Sequence, residues 1–198
     1  MMKKYKKMLL ALGILLTGAL TVGVISSSAT KTEDKVLVQV GSDEITNVEL
    51  LTFKKMNSFS STDLSDSEIV EYMVKEKLVL QLAKQVGVSA TLEEGKMEAQ
   101  KHREILDQQP KEVQDTHKKI VKAMGITEEE YWEDYTPSQY QDLLSMQNLF
   151  DKMQTDKDLA QKYAIDAIPS ANQVLEQLYK MSLSNGTVKV KDDAIRLD

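Results

Sequence analysis

Four times beyond residue 44 of this chain a serine or threonine is followed three residues later by glutamate: Thr46 with Glu49, Ser65 with Glu68, Thr91 with Glu94 and Thr127 with Glu130. In such a pair the hydroxyl accepts a hydrogen bond from the first helical turn, and the carboxylate reaches back to the N–H of the capping residue. Two of the orphan donors at a helix start are thereby satisfied. Each pair opens a stretch with helical spacing, so the chain is predicted to be mainly α. A first helix is expected from about Val48 to Asn57, with Val48, Leu51 and Met56 facing inward. A second runs from about Glu68 to Val86, where Val70, Met73, Val74, Leu78, Leu82 and Val86 recur at three and four residues. Val79 and Leu80 widen that stripe, which predicts burial on more than one side. Gly87 stands where a left-handed C-terminal cap belongs.

From Leu92 to about Asp107 the pattern turns polar, and Pro110 separates it from another helical piece ending near Met124-Gly125. A mostly polar helix of this kind reads as a projecting arm. Thr136-Pro137 starts a new helical turn, and Leu143, Leu144, Met146, Leu149, Phe150 and Met153 continue an apolar side. Asp158 to Ile165 and Ala171 to Met181 are further helices. Two strands are expected: Val36 to Val40, closed by the turn Gly41-Ser-Asp-Glu44, and Thr187 to Val190 after the turn Asn185-Gly186. The predicted fold is an irregular helical bundle with a projecting helical arm and a small two-stranded β element that pairs the two ends of the mature chain.

Residues 1–29 have a different character. Lys3, Lys4, Lys6 and Lys7 precede an uncharged run over residues 8–25 and the small residues Ser26 to Ala29. This is the layout of an export signal. Its apolar run is longer than a usual signal core and close to the ~20 residues that span a bilayer, so the segment is either cleaved, leaving Thr30 as the first residue, or retained as an N-terminal anchor. Residues 30–198 are expected to form one domain outside the cytoplasm. Cysteine is absent, which excludes disulfides, a thiol nucleophile and a lipid-bearing cysteine. The formal charge of −6 becomes −10 once the four lysines of the head are set aside. Nucleic acid and anionic lipid surfaces, which are bound through basic patches, are therefore not expected as main partners.

Three pieces in order, Val36 to Thr46 with Glu49-Leu50, Glu76 to Val88 with Ser89 to Glu94, and Gly125 to Tyr131, give residues 36 to 153 a resemblance to the helical chaperone domain of the SurA and PrsA type extracytoplasmic foldases. The resemblance implies a helical cradle that holds unfolded or partly folded exported polypeptides. In that family a parvulin prolyl isomerase domain is often inserted before the last elements. Between Met153 and Asp158 there is no room for it, so isomerase activity is not carried over, and the lipid-bearing cysteine of many Gram-positive members is missing too.

Chemistry-bearing patterns are sparse. His102 and His117 lack an i+4 partner or an H-E-x-x-H setting and are expected to be solvated surface residues. No G-x-S-x-G elbow occurs. The acidic run Glu128 to Glu130 with Glu133 and Asp134 lacks the spacing of a calcium loop and is better explained as compensation of the helix dipole. No cofactor or metal is implied. The candidate client-binding residues are aromatic: Tyr131, Trp132, Tyr135 and Tyr140, with Met146, Phe150 and Met153 nearby, and a second pair, Phe53 and Phe59. Methionine and aromatic side chains adapt to varied apolar partners, and the same residues also suit a domain core. The rival expectation is a protein anchored through residues 8–25 that binds one specific partner at the cell surface.

Overall fold

The computed structural model describes residues 34–56, 64–163 and 170–197. The export segment 1–29 and Phe59 lie outside the described residues, and among those described no helix is long and apolar enough to cross a membrane. The expected pairing of the two ends is present, with one strand more than predicted. Strand β1 (Val36–Val40) lies between β2 (Asp43–Thr46) and β3 (Val188–Val190), both antiparallel to it. Val40 pairs with Asp43 across a two-residue turn in which Gly41 takes φ of +59°, a conformation that glycine adopts without steric cost. On the other edge Val38 faces Val190.

Among the described residues, seven helices and one single turn of helix follow around this sheet. Helix α1 (Asn47–Met56) leaves β2 through the Thr46–Glu49 capping box. Here Leu50 and Phe53 are buried while Leu51 is 52% exposed, which corrects the expectation that Leu51 points inward. Adjacent helical residues sit about 100° apart, and the face toward the core is taken by Leu50 and by Phe53, whose ring tilts against Tyr72 at 5.8 Å.

Helix α2 (Asp66–Gln85) is the hub. Ile69, Val70, Met73, Val74 and Leu78 join Leu37, Val38, Val40 and Ile45 of the sheet in one core. Val79, Leu82 and Ala83 enter a second core with residues further along the chain. The widened stripe thus serves two cores, as predicted. Gly87 closes the helix at φ +72°.

The arm consists of α3 (Leu92–Leu106) and α4 (Lys111–Met124), which ends at left-handed Gly125. A single turn, α5 (Glu128–Glu130), leads into a π-helical segment, Tyr131–Tyr135, and then α6 (Thr136–Thr155). Leu149 and Met153 of α6 pack on α2, while Tyr140 and Leu143 pack with Ala99 of α3. Helix α6 therefore ties arm to body, and α4 also lies against α1. The short α7 (Lys157–Lys162) contributes Ala160 to the second core, and α8 (Ala171–Ser184) contributes Val174 and Leu178. All four predicted capping boxes form, and Ser170 with Gln173 makes a fifth.

Candidate functional site

The α3–α6 crossing sets the geometry of the arm. A Cβ on Gly95 would lie 2.1 Å from the Pro137 carbonyl oxygen and 2.9 Å from the Gln141 nitrogen, so only glycine allows this approach. Ala99, one turn further along α3, is almost fully buried. The segment leading into α3 is laced to the same helix. Gln141 Nε2 donates to the Ala90 carbonyl at 3.0 Å, Ser145 Oγ accepts from the Ala90 N–H at 2.9 Å, and Asn148 Nδ2 donates to the Val88 carbonyl at 3.2 Å.

The π-helical segment has a local cause. A proline within a helix lacks an N–H and its ring crowds the carbonyl four residues earlier; the turn before Pro137 is widened, with the Thr136 N–H donating to the Tyr131 carbonyl. In that register the Trp132 carbonyl would look to residue 137, which has no donor. Thr136 Oγ1 donates to it instead, at 3.3 Å. Widened turns of this type change which way consecutive side chains face.

Here the widening gathers the aromatic residues around a histidine. His117 of α4 stacks on Trp132 at 5.3 Å and meets the Tyr131 ring edge-on at 4.8 Å, and its Nε2 lies 2.7 Å from Glu128 Oε2. It is buried, so the expectation of a solvated histidine is corrected. Glu128 supplies the carboxylate that a buried imidazole needs, and the aromatic faces exclude water from the rest of the ring. His102 is half-buried, stacks on Tyr140 at 4.7 Å and lies 3.5 Å from Glu98. Burial pulls its pKa below the usual value, with Glu98 opposing the shift. Burial, with a smaller contribution from Glu128, pushes the Tyr131 hydroxyl up to about 12. Tyr135 and Tyr140 are likewise raised, by burial first.

Of the aromatic residues singled out in the sequence, Tyr140 is therefore interior to the arm, Trp132 is largely covered but still lines a surface groove, and Tyr131 and Tyr135 are partly covered. Phe53 belongs to the sheet core, a different cluster from this group, so the structure does not assemble the five described candidates into one surface. What reaches the outside is a groove of about 460 Å³ along α3, with Met97, Gln100 and Lys101 on one wall and Trp132 and Glu133 on the other. Met97 is 57% exposed. Arg103 bonds Glu133 at 2.9 Å, while Glu93 and Lys96 complete the lining. Met97 and Trp132 are the apolar members of its lining, and Glu93, Lys96, Lys101 and Glu133 give it both charge signs. Met97 was not singled out from the sequence; an exposed methionine inside an otherwise polar helix was the available signal. Among the described residues no group of acidic or histidine side chains is arranged to hold a metal ion.

No family model matches this chain, and neither a curated protein nor a solved structure matches it.

Proposed function

We propose that the protein is an exported, ATP-independent chaperone-like protein that transiently holds unfolded or partly folded secreted polypeptides and has no isomerase activity. The observation that carries the reading is the open groove between Met97 and Trp132. A thioether and an indole edge take many apolar side chains with little demand on sequence. The paired charges around them suit the polar backbone and flanking residues of a non-native segment. A groove this shallow buries little area, so binding is weak and reversible, as a folding helper requires. The resemblance of residues 36 to 153 to the SurA and PrsA type domain and the export-signal layout of residues 1–29 support the same reading.

The test is suppression of aggregation of two unrelated unfolded proteins by the purified protein. Met97→Asp is compared with Leu51→Asp, a change at an equally exposed leucine outside the groove. Half-burial of a methionine on binding is worth about 1 kcal/mol, so Met97→Asp is expected to raise the concentration needed about fivefold for both clients. Leu51→Asp is expected to leave it unchanged. No suppression of either client would move the reading to a protein that binds one specific partner at the cell surface.

A further inference from the structure

The joint between body and arm contains a carboxyl group that the proposed holding function does not use. Glu76 of α2 follows Ile69 and Met73 along the buried stripe of that helix and is only 7% exposed. Its electrostatic neighbours are Asp142 and Lys77, and no hydrogen bond supports it among the described residues. On α6, Gln139 and Asp142 stand three residues apart and so share a face, Tyr135 closes the π-helical segment just before that helix, and both Tyr135 and Asp142 are within electrostatic reach of Glu76. Gln139 between them is 1% exposed, with neither amide atom bonded among the described residues.

The charges facing this joint do not balance. From α1 comes Glu49, itself buried, whose Oε1 takes the Lys77 ammonium at 3.2 Å. From α8 come Glu176 and Tyr179, and both hold Lys75. Asp43 of β2 bonds Gln81 at 2.8 Å, and β1 carries no ionisable side chain. On α2 itself Tyr72 is a further titratable neighbour, its hydroxyl raised by burial first and then by the charge of Glu76. Three carboxylates, Glu49, Glu76 and Asp142, thus share one ammonium, Lys77. Leaving two unpaired negative charges in such a setting is costly, and a carboxyl group there keeps its proton instead.

We propose that Glu76 and Asp142 form a proton-dependent latch between α2 and α6: while Glu76 holds its proton the arm stays docked on the body, and when Glu76 ionises opposite Asp142 the joint loosens. Burial first, then the charge of Asp142, raise Glu76 to about 8, and burial raises Asp142 to about 6. The two groups are coupled, so the last proton leaves the pair in the mildly alkaline range. The unpaired amide of Gln139 in the same face adds a second weak point, because a buried polar group without a partner favours any opening that lets water reach it.

The chain has no cysteine, so the experiment uses the full-length protein with Lys118→Cys on α4 and Lys180→Cys on α8, both exposed positions, carrying nitroxide labels. Inter-label distances are measured across the neutral to alkaline range. The expected result is a distribution that shifts or broadens on raising the pH past about 8, and that stays fixed when Glu76→Gln is added. Asp142→Asn removes the like charge and is expected to move the midpoint to lower pH; this variant decides the matter should Glu76→Gln not fold. A distribution independent of pH, a Glu76→Gln variant that follows the parent, or a midpoint that Asp142→Asn leaves in place or raises would overturn the proposal. None of these outcomes depends on client binding.

Discussion

At the scale of single residues, Gly95 is the most constrained position in the arm. Alanine is the better helix former by about 1 kcal/mol, yet its methyl group would meet a backbone carbonyl at 2.1 Å, which no rotamer change relieves. Overpacking against rigid neighbours typically costs about 1 to 3 kcal/mol. Gly95→Ala is therefore expected to lose up to about 2 kcal/mol net, by forcing α3 away from Pro137. Urea unfolding followed by circular dichroism checks this, since an exposed helical glycine replaced by alanine would instead gain stability. The Gly95-x-x-x-Ala99 spacing was visible in the sequence, but its meaning was not. Small residues four apart show that something comes close, and only the fold shows that it is the first turn of α6.

At the scale of elements, the helix starts were the most legible part of the chain. A capping box is a local contract among four residues, and the four predicted boxes form whatever their helices pack against. Ser170 with Gln173 went unread because glutamine was not counted as the reaching partner, although its amide oxygen accepts from the Ser170 N–H at 2.8 Å. Strand β2 was missed for a different reason: Asp43-Glu-Ile-Thr46 buries only Ile45 and has no strand-like alternation of its own. It is a strand because β1 offers it a ladder. The π-helical segment belongs to this scale too. Thr136→Val keeps the buried shape but leaves the Trp132 carbonyl without its hydroxyl donor, with an expected loss of about 1 to 2 kcal/mol. A change in the near-ultraviolet signal of the single tryptophan should accompany that loss, because Trp132 is stacked on His117. A near-ultraviolet spectrum identical to that of the parent would argue that the hydroxyl does not hold this turn.

At the scale of the whole molecule, two sets of carboxyl groups oppose one another as pH changes. Hydrogen bonds to their capping residues hold Glu68, Glu94 and Glu130 below the ordinary glutamate value of 4.5, and the Leu159 N–H does the same for Asp156. Their contribution is present above that value and is lost as pH falls. Glu76 and Asp142 work in the opposite sense. Raised from 4.5 to about 8 and from 3.8 to about 6, they bind protons more tightly in the folded chain, so the stability they allow is full below their unfolded values and falls as pH rises. Thermal unfolding is therefore expected to show its highest Tm near about pH 5 and a marked decline toward pH 8. Glu76→Gln should flatten that decline. A Tm that instead rises from pH 5 to 8 in the parent protein would show that the joint is not desolvated as described.

The sequence alone determined where most helices begin, that the chain is mainly helical, that its two ends pair as strands, and which stripe of α2 is buried. All of these follow from interactions within a few residues or from a repeat that a single helix displays on its own. Tertiary structure decided which polar groups are interior. Glu76 and Gln139 sit at positions that an apolar stripe would also occupy, and nothing local says that α2 and α6 press those faces together. His117 looked like a surface residue because its carboxylate partner and its aromatic neighbours lie on other elements. The same holds for the aromatic group, since Trp132 and Tyr140 face inward only because Gly95 lets α3 lie against α6 and Pro137 turns the segment before it. Proximity between residues distant in the chain sets their burial, and burial sets their chemistry.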